Sequence, residues 1–208
     1  MRLFTAVYPS EEALRHLDLA LGGVGGPSVV DPGVGLRWLP REQRHLTLAF
    51  HGEVPDGAVP GYVRALSRAL TEVAPFDVAL AGSGSFGGRT LWVGVGDGID
   101  GLRRLGAAVD DAASSSDVPT NDRAGGRPHL TVARASLARL PNRNGNRRPR
   151  GRAGDDGSPL VPWARALMVY RGPAWHVDAV HVVASELGKG RSGGPLHHDL
   201  AVLPLAAA

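Results

Sequence analysis

The chain contains no cysteine. That excludes disulfides, thiolate metal centres and cysteine nucleophiles, and it fits a cytoplasmic protein. No apolar run approaches the length needed to cross a bilayer, so no membrane partner is expected. The opening residues lack the apolar core and small-residue cleavage site of a secretory signal. A large charge of one sign is also missing. The 208 residues carry a formal net charge of only +3. The stretch 142–156 holds Arg143, Arg147, Arg148, Arg150 and Arg152 against Asp155 and Asp156, which accounts for that whole excess. A broad duplex-binding face is therefore unsupported. "GSGSFGG" at 82–88 lacks the GxxxxGK[ST] pattern and does not lead into a helix, so it reads as a hairpin turn. Ser185 has no nucleophile-elbow context.

What is present is a folding chain: hydrophobic residues make up 43% of it, enough for a substantial core. Residues 2–8 read as a strand, and Ser10 can cap a helix carrying Leu14, Leu17 and Leu21. A glycine- and proline-rich loop covers 22–35. Strands are expected at 36–40 and 45–51, then a helix with Val59, Tyr62, Val63, Leu66, Leu70 and Val73 on one face. Strands at 76–82 and 90–96 precede a helix marked by Leu102, Leu105 and Val109. A loop at 114–127 leads to a strand at 129–135. The polar segment 141–159, rich in Gly, Pro and Arg, reads as a mobile loop. A helix at 161–170 and strands at 175–185 and 198–205 complete the chain.

Two of these strands are near copies. "RHLTLAF" at 44–50 is matched by "PHLTVAR" at 128–134, with the two histidines 84 residues apart. Each is followed by a helix and then a strand. Two α+β lobes related by a pseudo-two-fold axis are the natural reading. In a strand, residues i and i+2 share a face. His45 and Thr47 thus share one face, as do His129 and Thr131, while the aliphatic residues between them anchor each strand. If the lobes are pseudo-symmetric, both polar pairs face one cleft.

Two imidazoles across a cleft suit in-line displacement at phosphorus. A neutral ring takes a proton from the attacking hydroxyl or water, and a protonated ring gives one to the leaving oxygen. Threonine hydroxyls can donate to the non-bridging phosphate oxygens. The scheme requires no metal and no cofactor. His51, six residues after His45, would share its face if the strand ran that far. No further ligand accompanies it at metal-binding spacing. His197 and His198 are adjacent, so one ring can turn towards the cleft. His16, His176 and His181 have no evident partners.

"RWLPREQRHLTLAFHGEV" followed by "RPHLTVARA" resembles the two-histidine (2H) phosphoesterase superfamily, in particular the bacterial RNA 2′,3′-cyclic phosphodiesterases, also called 2′-5′ RNA ligases. The N-terminal "RLFTAV" and the late "VVASELGKG" extend the resemblance over most of the chain. It implies an α+β bilobal fold, two antiparallel sheets flanking a central cleft with helices outside, formed as one domain over 1–208. It implies His45 and His129 as catalytic residues and Thr47 and Thr131 as phosphate ligands. It also places Arg134 near the substrate phosphate and Phe50 near the cleft. Trp38 reads as a packing residue. Two departures stand out: "GGPLHHDL" where members often carry a tyrosine, and the long arginine-rich segment.

The resulting expectation is metal-independent hydrolysis of an RNA or nucleotide 2′,3′-cyclic phosphate to a 2′-phosphate, by a monomer without an obligatory protein partner. Two alternatives stand beside it: 2′-5′ ligation, the same chemistry reversed, and a phosphate-gripping module without turnover.

Overall fold

The computed structural model describes residues 1–23, 36–123, 127–135, 158–190 and 194–206. Most of the expected loop at 22–35, and the arginine-rich segment up to residue 157, lie outside the described residues. Among these residues there are ten strands: β1 (Arg2–Val7), β2 (Leu36–Trp38), β3 (Leu46–Glu53), β4 (Phe76–Phe86), β5 (Thr90–Asp97), β6 (Asp122–Arg123), β7 (His129–Ala135), β8 (Arg171–Val177), β9 (Ala179–Glu186) and β10 (Leu196–Pro204). Four α-helices accompany them: α1 (Glu11–Gly23), α2 (Val59–Leu70), α3 (Ile99–Ser115) and α4 (Val161–Ala166).

The fold is α+β. All pairings are antiparallel, in the order β10-β9-β1-β3-β7-β5-β4-β8, with β2 beside β7 and β6 beside β3. The two expected sheets are the halves of this one path. They meet where β3 and β7 share a single register pair, Leu46 opposite Leu130. Antiparallel pairing places a local two-fold axis at that point, and the strand order maps onto itself about it: β3 with β7, β1 with β5, β9 with β4, β10 with β8.

The helices form for local reasons and pack for global ones. In α1, the Ser10 hydroxyl accepts from the Ala13 N–H at 3.1 Å, and Glu11 and Glu12 favour the positive end of the helix dipole. Its Leu14, Leu17 and Leu21 are buried. Although α1 follows β1, it packs against β8 in the other half. Helix α2 buries Val59, Tyr62, Leu66 and Leu70 and packs on α3 and β10. The halves are thus intertwined.

Three elements differ from expectation. The strand expected at 175–185 breaks at Asp178: β8 pairs with β4, whereas β9 pairs with β1 and β10. One apolar run thereby crosses from one half to the other. Strand β4 runs on to Phe86, so most of the "GSGSFGG" stretch is strand. The loop at 114–127 contains the two-residue β6. Among the described residues no helix is long and apolar enough to cross a membrane.

Candidate active site

The cleft-facing residues owe their places to two bulges at equivalent positions. In β3, Thr47 pairs with Ala6 and Ala49 with Thr5, leaving Leu48 as an extra residue. In β7, Thr131 pairs with Trp92 and Ala133 with Leu91, leaving Val132 extra. An inserted residue shifts the side-chain phase of everything after it. The apolar pairs Leu48–Ala49 and Val132–Ala133 are therefore both buried in succession. Phe50 and Arg134, five residues after their histidines, return to the cleft. Strict alternation puts them on the opposite face.

The same phase change sends His51 into the core, correcting the expectation that it shares the face of His45. His51 is fully buried. Its Nδ1 donates to the Pro119 carbonyl at 2.9 Å, and its Nε2 meets the hydroxyls of Thr5 at 3.0 Å and Tyr62 at 3.1 Å. This is a satisfied structural histidine, and burial holds it below the ordinary imidazole range.

One cleft of about 510 Å³ gathers all six expected site residues: His45, Thr47, Phe50, His129, Thr131 and Arg134. Sequence reading did not single out Arg2, Arg37, Gln43 or Leu187, which also line it, although all four fall in the segments that carry the family resemblance. Among the described residues that line it there is no carboxylate, whereas three are arginines. Arg37 and Arg134 are direct register partners across β2 and β7. Partial burial, and then repulsion from Arg37, lower the Arg134 guanidinium from its ordinary value. Like charges placed opposite each other are unfavourable, and no ion pair among the described residues involves either. Such a surface is suited to an anion.

The two motif histidines sit in unlike surroundings. The His45 ring is stacked by Phe4 at 4.6 Å and met edge-on by Tyr8 at 5.8 Å and His197 at 5.5 Å. Burial, with the nearby His197, Arg134 and His129, pushes it down to about 3, although the Gln43 backbone carbonyl works the other way. Its Nδ1 is buried, and among the described residues it has no partner at hydrogen-bond geometry. His129 donates from Nδ1 to the Arg127 carbonyl at 3.1 Å, which leaves Nε2 free. The hydroxyls of Thr47 and Thr131 have no partner among the described residues. Among those residues no group of three or more His, Cys, Asp or Glu is placed to hold a metal ion.

Of the adjacent pair near the C-terminus, His197 turns into the cleft, while His198 faces out and pairs with Glu186 at 3.2 Å. Strand alternation on β10 was the available signal. The other histidines have partners no local pattern discloses: His16 meets the Tyr170 hydroxyl at 3.2 Å, His176 meets Asp77 at 2.9 Å, and His181 meets Asp199 at 2.9 Å. Trp38 packs edge-on against Trp163 at 4.8 Å.

The approach to His45 is braced from α1. Arg44, only 2% exposed, donates to the Leu39 carbonyl at 3.0 Å and to Asp18 at 2.6 Å; Arg41 also pairs with Asp18. Burial opposes the Asp18 charge, but the hydrogen bonds from Arg44 and Arg41 prevail and hold its carboxyl below the usual range.

A curled antiparallel sheet repeated about a local two-fold, each half contributing one His-x-Thr pair to a shared basic cleft, defines the two-histidine phosphoesterase fold. Comparison with known proteins agrees. The family model described as the 2′-5′ RNA ligase superfamily matches residues 32–142. An RNA 2′,3′-cyclic phosphodiesterase of Thermus thermophilus is 34% identical over 152 residues, covering 68% of this chain and 73% of that protein. One of Geobacillus stearothermophilus is 39% identical over 108 residues, 50% of this chain, and this match spans only 34% of that protein's length. The crystal structure of TT0787, also of Thermus thermophilus, superposes with a TM-score of 0.66 at 26% identity, covering 99% of this chain and 98% of that one. The chain belongs to the 2′-5′ RNA ligase superfamily.

Proposed function

We propose that the protein hydrolyses 2′,3′-cyclic phosphate ends of RNA to 2′-phosphates, with His45 and His129 as its acid–base pair. One observation carries this reading: His45, Thr47, His129 and Thr131 line a single cleft whose described residues include arginines and no carboxylate. The curated relatives named RNA 2′,3′-cyclic phosphodiesterase support the substrate class.

The unlike surroundings favour an assignment of roles. His45 stays neutral through the physiological range because burial penalises its charge. It takes a proton from water as the water oxygen attacks phosphorus. His129, with its ring oriented by the Arg127 carbonyl, gives its Nε2 proton to the departing 3′ oxygen as the P–O3′ bond breaks. The 2′ oxygen keeps the phosphate, and the two rings reset by proton exchange with solvent. Thr47 and Thr131 donate to the non-bridging oxygens, and Arg134 and Arg37 offset the developing charge. DNA lacks the 2′-hydroxyl and cannot form the cyclic ester.

The test is incubation of purified protein with 2′,3′-cyclic AMP in EDTA, with chromatographic separation of 2′-AMP from 3′-AMP. Accumulation of 2′-AMP, lost in His45→Ala and in His129→Ala, is the expected result. Binding without turnover, or release of 3′-AMP, overturns the reading.

A further inference from the structure

On the second half of the sheet, the cleft face continues beyond His129 and Thr131. Trp92 lies directly opposite Thr131 across β5 and β7, and opposite Gly84 across β4 and β5. A Cβ on Gly84 would come within 2.4 Å of the Trp92 ring, so glycine there lets the indole lie against β4. Phe86 leans on this fixed indole, with centroids 5.3 Å apart, and meets the His129 ring edge-on at 4.8 Å. Phe86 nevertheless remains 44% exposed. The ring stacked on His45, Phe4, is by contrast 4% exposed and contacts His197 at 4.9 Å. One side of the cleft is closed by rings, and the other offers a ring to solvent.

A second cavity, of about 320 Å³, lies on the same half, with Trp92, Arg103, Arg127 and Pro128, the residue before His129, among its walls. The Arg127 guanidinium lies 5.8 Å from the Trp92 ring centroid, and among the described residues no carboxylate pairs with it. Trp92, which is 7% exposed, has a buried Nε1 donor with no partner among those residues. Through Trp92, an exposed aromatic ring in contact with His129 is thus joined to an arginine, without a carboxylate partner among the described residues, and to space of nucleobase size.

We infer that Phe86, Trp92 and Arg127 form a second nucleotide subsite, which receives the nucleotide preceding the cyclic end of an RNA strand. This rests on the reading that the cleft opens a cyclic phosphate. The base of that nucleotide stacks on the open face of Phe86, and the phosphodiester joining it to the terminal nucleotide meets Arg127. Stacking of this kind tolerates any base, so the subsite selects strand length rather than sequence.

The experiment compares kcat/KM for 2′,3′-cyclic AMP with that for a diadenosine dinucleotide ending in a 2′,3′-cyclic phosphate. In the wild type the dinucleotide should be favoured about 5- to 100-fold, the range of one base–aromatic stack. Phe86→Ala and Arg127→Gln should each bring this ratio towards one, and Phe86→Trp should preserve it. A wild-type ratio near one, or a ratio unchanged in both variants, overturns the subsite. A wild type that turns over neither substrate sinks the hydrolase reading instead. The same ratio, taken from calorimetric dissociation constants for 2′-AMP and for the dinucleotide 2′-phosphate, then decides the subsite alone. Phe86 is exposed on a hairpin, so its variants should fold, and circular dichroism checks this.

Discussion

The ring of Phe4 stacks on the imidazole of His45, with centroids 4.6 Å apart and planes 24° from parallel. This contact helps remove His45 from water, and burial is the chief reason its pKa falls to about 3. A base must be neutral to work, and His45 is neutral above its folded value. In the free enzyme, kcat/KM should therefore hold as pH falls through 6 and decline only on approach to 3. A pH–rate profile with 2′,3′-cyclic AMP, kept to the range where circular dichroism shows the fold intact, checks this. Half-loss of kcat/KM near pH 6.5 on the acid side would falsify the assignment of His45 as base.

Acid should also destabilise the fold. His45, His51 and His197 are all held below the ordinary imidazole value, each chiefly by burial. The unfolded chain then binds protons the folded chain does not, so stability rises with pH up to the unfolded value and is lost below it. Each group contributes up to about 1.4 kcal/mol per pH unit inside that window. Urea midpoints should be flat above about pH 7 and fall steadily between pH 6 and 4.

Removing either motif histidine should reduce kcat by about 10²–10⁴-fold while leaving the melting temperature close to wild type. Thr47→Ala and Thr131→Ala should each cost roughly 10–100-fold, since a hydroxyl hydrogen bond to a charged oxygen is worth about 1.5–3 kcal/mol. Steady-state kinetics beside thermal melts separate these losses from misfolding. A threonine variant with full activity removes that residue from the proposed phosphate site.

Arg134→Gln should raise KM for the cyclic nucleotide about tenfold or more and flatten its dependence on salt, because a charged contact to an anion is lost. Because Arg37 and Arg134 repel each other across β2 and β7, the same substitution should leave the ligand-free protein equally stable or slightly more so. KM measured from low to high salt, with urea unfolding alongside, tests both parts.

Asp18→Asn should destabilise the protein by about 3–5 kcal/mol, since it strips the buried Arg44 of its carboxylate partner. The residues leading into His45 hang on that pair, so surviving folded protein should also show weakened turnover. Equilibrium urea unfolding gives the energy; a change below about 0.5 kcal/mol contradicts the bracing role.

The twin His-Leu-Thr segments made the candidate site legible, because alternation along a strand fixes locally that each His and Thr share a face and that each intervening Leu opposes them. Most of the strands, helices α1 and α2 and the α+β class followed from apolar periodicity and from the Ser10 cap. Alternation failed where the backbone departs from it. No residue type announces the bulges at Leu48 and Val132, yet they turn Phe50 and Arg134 into the cleft and His51 into the core. The break at Asp178, which hands β8 and β9 to different halves, was equally silent, since both sides of it are apolar.

By itself the sequence determined which side chains could act and how neighbours along one strand are oriented, for those are properties of the local backbone. Only the tertiary structure decided that segments 84 residues apart meet at Leu46 and Leu130, that His197 comes to lie beside His45, and that one imidazole packs against the buried Phe4 while the other meets the exposed Phe86. Long-range pairing and burial set those outcomes, and both depend on how the entire chain packs.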